Sequence, residues 1–277
     1  MNSNDFRKEM HLYIDEQYDI FTGIQQQIQE ILKIFHDLCV KNNITYYVMY
    51  GSLLGLVRDD GFIPWDSDMD VVVPYRDALK LHDVLSTYLP EQFYFVSNYT
   101  DEDFPYFQMR ICKKGISHDK LHLDIFYMIG MSDRNDSRTV KYKKDIKKLF
   151  FLRNMKSSYR ELKLSRNMSI NDLAHKLYYG LRTCCYSLKH LNKKFEKISN
   201  KYGYDDSEIV AVWGFTGFFY NKKDFEPAVL YQTGIGDLYI PNDYVSLLKE
   251  TYGDYTEYLL INERFDEFSR QIKHYLR

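Results

Sequence analysis

Of the four cysteines, Cys39, Cys112, Cys184 and Cys185, none has the spacing of a metal ligand set or of a small-domain disulfide framework. Reduced thiols in a cytoplasmic protein are the expectation. An excess of one charge sign is also missing. The chain has 37 Lys and Arg against 39 Asp and Glu, a net charge of −2, which argues against the global basic field of a nucleic-acid binder. No apolar run reaches the roughly 20 residues that a bilayer-crossing helix needs; the longest, Ile209–Tyr220, is too short. The segment Met1–Glu30 is polar and acidic, with no basic start followed by an apolar stretch, so no secretory signal is expected. Internal repeats and low-complexity segments are absent from the sequence.

What is present is ordinary for a soluble globular protein: 277 residues, 45% hydrophobic and 27% charged. That length holds one large domain or two small ones. Aromatics are abundant, with 26 Tyr and 18 Phe. Tyrosine suits half-buried cleft walls, although AT-rich coding would produce the same excess.

Apolar positions Ile24, Ile28, Ile31, Leu32, Phe35, Leu38 and Cys39 recur in steps of three and four, which predicts an amphipathic helix over 21–41 ended by Asn42-Asn43. A β-branched and aromatic run, Ile44–Tyr50, predicts a strand. Gly51-Ser52 then turns the chain into a short helix, Leu53–Val57. Further strands are expected at Asp68–Val73, Phe93–Val96, Phe107–Lys113 and His122–Tyr127, with a helix at Tyr75–Leu89 closed by Pro90. The first half thus reads as an α/β unit with short strands.

Composition changes near residue 131. From Lys141 to Arg166 ten basic residues are opposed only by Asp145 and Glu161, and a second basic helical stretch follows over Ala174–Tyr202. Residues 136–203 read as a helical insertion with a basic exterior, dividing a core (1–135) from a C-terminal part (204–277) that completes the catalytic domain. A basic amphipathic face of this kind suits either plain solvation or contact with an anionic membrane surface. The last helix expected is Tyr244–Tyr252, stopped by Gly253.

The chemistry concentrates in Tyr50–Val73. Asp66, Asp68 and Asp70 are spaced by two, so an extended chain turns all three carboxylates to one side while Met69 and Val71 face the core. Grouped carboxylates repel unless a divalent cation lies between them, and hard cations such as Mg²⁺, or Mn²⁺ in its place, prefer oxygen ligands. Two cations roughly 4 Å apart can serve an in-line displacement. Gly51 and Ser52, at the start of a helix, offer backbone N–H groups to phosphate oxygens. Asp124, between apolar residues on the expected strand His122–Tyr127, is costly there without a partner and is the further carboxylate such a site recruits, as a metal ligand or as a base. Gly-Ser followed by an Asp-x-Asp strand is the pattern of a nucleotidyltransferase-type site.

The segment Gly51-Ser52-Leu53-Leu54-Gly55, Val57-Arg58, Gly61-Phe62-Ile63-Pro64-Trp65-Asp66 and Asp68-Met69-Asp70 resembles the LicD family. Leu123-Asp124-Ile125-Phe126 is similar to its second acidic strand, and Ile240–Tyr244 with Tyr252–Tyr255 to its C-terminal segment. Ser67 stands where the family commonly has a third consecutive Asp, and Ser52 where Thr is frequent. The resemblance implies an α+β fold: a nucleotidyltransferase-like mixed β-sheet flanked by helices, here with the basic helical insertion. It also implies Mg²⁺-dependent transfer of phosphocholine or a related group from a CDP-linked donor to a glycan or lipid-linked glycan, with CMP released. The family's bacterial members act on teichoic acid and lipopolysaccharide, and its eukaryotic fukutin-related members use CDP-ribitol. The setting implied is cytoplasmic, at the inner face of the membrane, with no nucleic-acid partner. Metal would fall to Asp66, Asp68, Asp70 and Asp124, with Asp68, Asp70 and Asp124 catalytic. Arg58 and Arg110 are candidate phosphate clamps or plain ion-pair partners, and Trp65 a core anchor or a stacking face. The competing readings are NMP transfer to a small molecule or protein, and a non-catalytic glycan-binding protein.

Overall fold

The computed structural model describes residues 8, 15–102, 104–132, 137–161, 169–213 and 219–276. Lys163 and Arg166 of the basic run, residues 133–136, part of the apolar run at 209–220, and residues 1–7 and 9–14 of the polar N-terminus lie outside these.

Helix α1 (Asp15–Lys41) carries the predicted apolar stripe, with Phe21, Ile28, Ile31, Leu32, Phe35 and Cys39 buried. Asn43 ends it at φ 50°, a left-handed position that asparagine tolerates well. Strand β1 is only Tyr47–Val48, shorter than expected, because Tyr50 already begins helix α2 (Tyr50–Asp59). Tyr50 has φ 56°, a strained value for an aromatic residue. It turns the chain sharply from β1 into α2, so Gly51 and Ser52 lie inside the first helical turn.

Strand β2 (Asp70–Pro74) follows, then α3 (Tyr75–Tyr88), β3 (Phe93–Ser97), β4 (Met109–Lys113) and β5 (His122–Met131). Beyond β5 come α4 (Ser137–Glu161), α5 (Ile170–Thr183) and α6 (Leu188–Ser199). The chain then returns to the sheet through β6 (Ile209–Val212) and β7 (Phe219–Asn221). The hairpin β8 (Val229–Thr233) and β9 (Gly236–Ile240) and helices α7 (Tyr244–Tyr252) and α8 (Ile261–Leu276) complete it. Helix α8 corrects the expectation that Tyr244–Tyr252 is the last helix.

The fold is α+β. The main sheet runs β1-β2-β5-β4-β3, with β6 on the far half of β5 and β7 beside β6. Among the described residues, only the β2–β5 pair is parallel. Central strand β5 is buried along nearly its whole length, which matches its apolar run. The register sets Asp70 opposite Asp124 and Asp124 opposite Arg110, so three neighbouring strands present these residues in one row. No helix among the described residues is long and apolar enough to cross a membrane.

Candidate active site

The acidic segment lies where α2 begins and β2 enters the sheet. Asp66 and Asp68 precede β2 rather than belonging to it, yet the predicted alternation holds: Ser67 and Met69 are buried, Asp66 and Asp70 half-buried and Asp68 exposed. Two backbone bonds fix Asp70: its N–H donates to Ser52 Oγ (2.7 Å), and its carbonyl accepts from Met49 N–H (3.1 Å). Ser52 therefore uses its oxygen to lock β2 to α2 and keeps its proton to donate. Gly51 lies against Asp66, whose Oδ2 would be 3.4 Å from a Cβ at that position. Gly55 has a stricter need for glycine: an added Cβ would come within 2.5 Å of the Gly61 carbonyl and 2.8 Å of the Ile63 nitrogen, so the loop leading to Asp66 can lie directly on α2.

Ligand atoms of Asp68, His122 and Asp124 lie within 4.8 Å of one another. His122 is two residues before Asp124 on β5 and so shares its face; its Nε2 is 3.5 Å from Asp124 Oδ2. Asp124 Oδ1 accepts from Gln108 Nε2 (2.6 Å) and Arg110 Nε (2.7 Å), which leaves Oδ2 turned to the cluster. Asp66 and Asp70 flank this set without belonging to it.

The carboxyls do not titrate alike. Desolvation, with Asp68's charge adding, pushes Asp66 up to about 7. Desolvation, then the charges of Asp68, Asp124 and Asp66, carries Asp70 well above the carboxylate range. Asp68 rises as well, from desolvation by the surrounding walls and from Asp124's charge. Asp124 moves the other way: desolvation alone would raise it, but the His122 and Arg110 contacts together outweigh that and hold it ionised. Like charges are thus crowded on two strands and a loop, with one guanidinium beside them on β4. The donor set, carboxylate oxygens with one imidazole and a buried His122 Nδ1 that has no hydrogen-bond partner, fits a divalent cation. Asp68, His122 and Asp124 would hold it.

Three other side chains suggested by the sequence sit differently. Arg110 is in the row, bound to Asp124 and, through Nη1, to Asp119 (3.2 Å). Its guanidinium also borders a cleft of about 580 Å³ lined by Tyr106, His118, Asn154, Ser158 and His274 among others. Arg58 is paired with Asp59 (2.9 Å) and lies 4.5 Å from the Tyr258 ring centroid. Trp65 is buried, with the guanidiniums of Arg58 and Arg264 5.7 and 5.6 Å from its ring. These two belong to a packed cluster beside the acidic loop and offer no open face.

Sequence reasoning missed the underside of that loop. Ser67 Oγ bonds Gln271 Oε1 and Tyr275 Oη, each at 2.9 Å, and Gln271 Nε2 donates to Asp66 Oδ1 at 3.0 Å. Helix α8 thereby clasps the acidic segment from below. The signal was the 4-3-4-3 spacing of Ile261, Phe265, Phe268, Ile272 and Tyr275, which is helical. Tyr252 on α7 also senses the site: burial, then Asp70 and Asp66, push its hydroxyl up to about 12.

Residues 43–160, which include Asp66, Asp68, Asp70, Arg110, His122 and Asp124, match the family described as LicD/FKTN/FKRP, nucleotidyltransferase domain. They form a LicD-family domain. Over a longer reach, the chain is 25% identical to the lipopolysaccharide cholinephosphotransferase LicD of Haemophilus influenzae across 241 residues, 81% of this chain and 87% of that protein. Two uncharacterized proteins, of Rickettsia prowazekii and Rickettsia typhi, are 40% and 38% identical over 58 residues, 21% of this chain. Those matches span only 22% and 19% of the two relatives' own lengths. The LicD-domain match takes in α2, the acidic loop, β2, β4 and β5, and α4 almost to its end. The clasp from α8 lies beyond it.

Proposed function

We propose that this protein is a divalent-cation-dependent phosphotransferase. It moves phosphocholine, or a similar phosphorylated small group, from a CDP-linked donor to a hydroxyl of a cell-surface glycan and releases CMP. The observation that carries the reading is the convergence of Asp68, His122 and Asp124 beside the first turn of α2, on a LicD-family domain. The cholinephosphotransferase relative supports the donor and acceptor classes.

In this reading the free N–H groups of α2's first turn, at Gly51 and Ser52, bind diphosphate oxygens. Ser52 can add a donated hydroxyl proton while its oxygen holds Asp70 in place. Asp124, kept ionised by Arg110 and Gln108, serves as a fixed anionic ligand and is a weak proton acceptor. A bound divalent ion supplies charge neutralisation for the pyrophosphate and the departing CMP. The acceptor hydroxyl attacks the phosphorus distal to cytidine. The bond from that phosphorus to the bridging oxygen breaks, and its electron pair stays on CMP. The hydroxyl proton passes to the open side of the cluster, where a carboxylate oxygen of the exposed Asp68 not engaged with the ion is the accepting group. Arg110, at the border of the 580 Å³ cleft, orients the transferred group or its acceptor.

Incubation with a panel of CDP-alcohols, a glycan acceptor and Mg²⁺ or Mn²⁺ tests this. Release of CMP that needs the metal and follows the headgroup supports it. Pyrophosphate release from a nucleoside triphosphate, with no CMP from any CDP-alcohol, would replace it with NMP transfer.

A further inference from the structure

We propose that helix α5, Ile170–Thr183, docks this protein onto an anionic lipid surface. The helix is inverted relative to an ordinary surface helix. It meets α4 through small and polar groups: Thr183 is fully buried, and Gly180 lies so close to the Tyr159 ring that an added Cβ would be 3.0 Å from it. The apolar residues face outward instead. Ile170 is 86% exposed, Leu177 61% and Leu181 77%, and Leu173 and Tyr178 stand open beside them. Residues 170, 173, 177 and 181 follow helical spacing and form one continuous stripe. Leu173, Leu177 and Leu181 line an open groove against α4 whose walls also carry Lys156 and Lys176. A contiguous apolar face of this kind marks an interaction surface.

Charge identifies the occupant. Residues 137–201 contain 18 Lys and Arg against 4 Asp and Glu, a net +14, so the rest of this −2 chain carries −16. The exposed leucines therefore lie within the strongly basic part of the chain. An apolar stripe set among lysines is what an interfacial helix needs to enter the headgroup layer of an anionic bilayer. A second copy of the chain would bring one strongly basic segment against another, which Coulomb repulsion opposes.

Placement gives the surface a purpose. The same stretch of helix α4 supplies Lys156 and Tyr159 to the groove and Asn154 and Ser158 to the cleft bordered by Arg110. An acceptor anchored in a membrane under α5 would be presented beside that cleft. The proposal concerns location and is read without turnover, so its failure leaves the proposed reaction standing.

The test is flotation of the full chain with phosphatidylcholine vesicles, with and without phosphatidylglycerol, at low and high salt. Wild type should float with the anionic vesicles, weakly with the neutral ones, and less as salt rises. Leu177→Glu with Leu181→Glu, both at exposed positions, should lower the bound fraction on the order of tenfold. Leu79→Glu, an equally exposed leucine on α3, should leave it unchanged. As a second measurement, Leu177→Trp should show a blue-shifted emission with anionic vesicles. Equal flotation of wild type and the double glutamate variant would overturn the proposal. So would a wild type that ignores vesicles yet sediments as a dimer that the double variant dissociates.

Discussion

Negative charge in this protein is gathered, half-buried and held by strands; positive charge is spread over the outside of three helices. Asp66, Asp68, Asp70 and Asp124 crowd one end of the β2–β5 pair, where burial and mutual repulsion raise three of the four. The lysines of α4 and α6 are for the most part solvated, and their side chains can turn away from one another. A charge therefore means different things in the two regions. Crowded carboxylates in a low dielectric cost free energy unless a ligand balances them, so their persistence points to a function. Exposed lysines cost little, and only the leucine stripe among them gives the basic region a reading beyond solubility.

The sharpest way to break this comparison is to remove one charge from each region. Asp68→Asn or Asp70→Asn should lower CMP release on the order of 10³-fold or more. The metal-free melting temperature should stay equal or rise, because a repelled charge is gone. A variant that keeps wild-type turnover, or one that unfolds, would contradict the contrast. Gly55→Ala should follow in size, since its Cβ meets backbone at 2.5 Å. A loss of about 1–3 kcal/mol in denaturant unfolding is expected, together with weakened metal binding as the loop to Asp66 lifts. Gln271→Ala should reduce kcat roughly tenfold, the usual cost of removing support from a ligand-bearing segment, while a thermal melt moves little. Smallest of all, Lys144→Glu or Lys147→Glu should change stability within about 0.5 kcal/mol and leave turnover of a soluble acceptor unaltered.

Much of this site was legible because it is local. The i, i+2 spacing of Asp66, Asp68 and Asp70 put Ser67 and Met69 inside, as the burial shows. Strand β5 begins at His122 and α3 runs from Tyr75 to within a residue of the expected end. The same alternation rule on β5 puts His122 on the face of Asp124, a pairing that the carboxylate pattern alone does not signal. Helix α2 starts three residues early because Tyr50 accepts a left-handed backbone that no propensity foretells. The clasp by Gln271 joins residues 205 positions apart, and only tertiary packing decides such a contact. Arg58 and Trp65 take the ion-pair and core-anchor roles that the sequence left open beside substrate contact, with Asp59 and Tyr258 packing them together.

The most direct test of the central claim is a Mn²⁺ titration followed by calorimetry or electron paramagnetic resonance, with wild type beside Asp68→Asn, His122→Ala and Asp124→Asn. The account predicts stoichiometric binding by wild type and at least a roughly tenfold weaker affinity in each variant. No binding by the folded wild type, or equal binding by all four proteins, would contradict it.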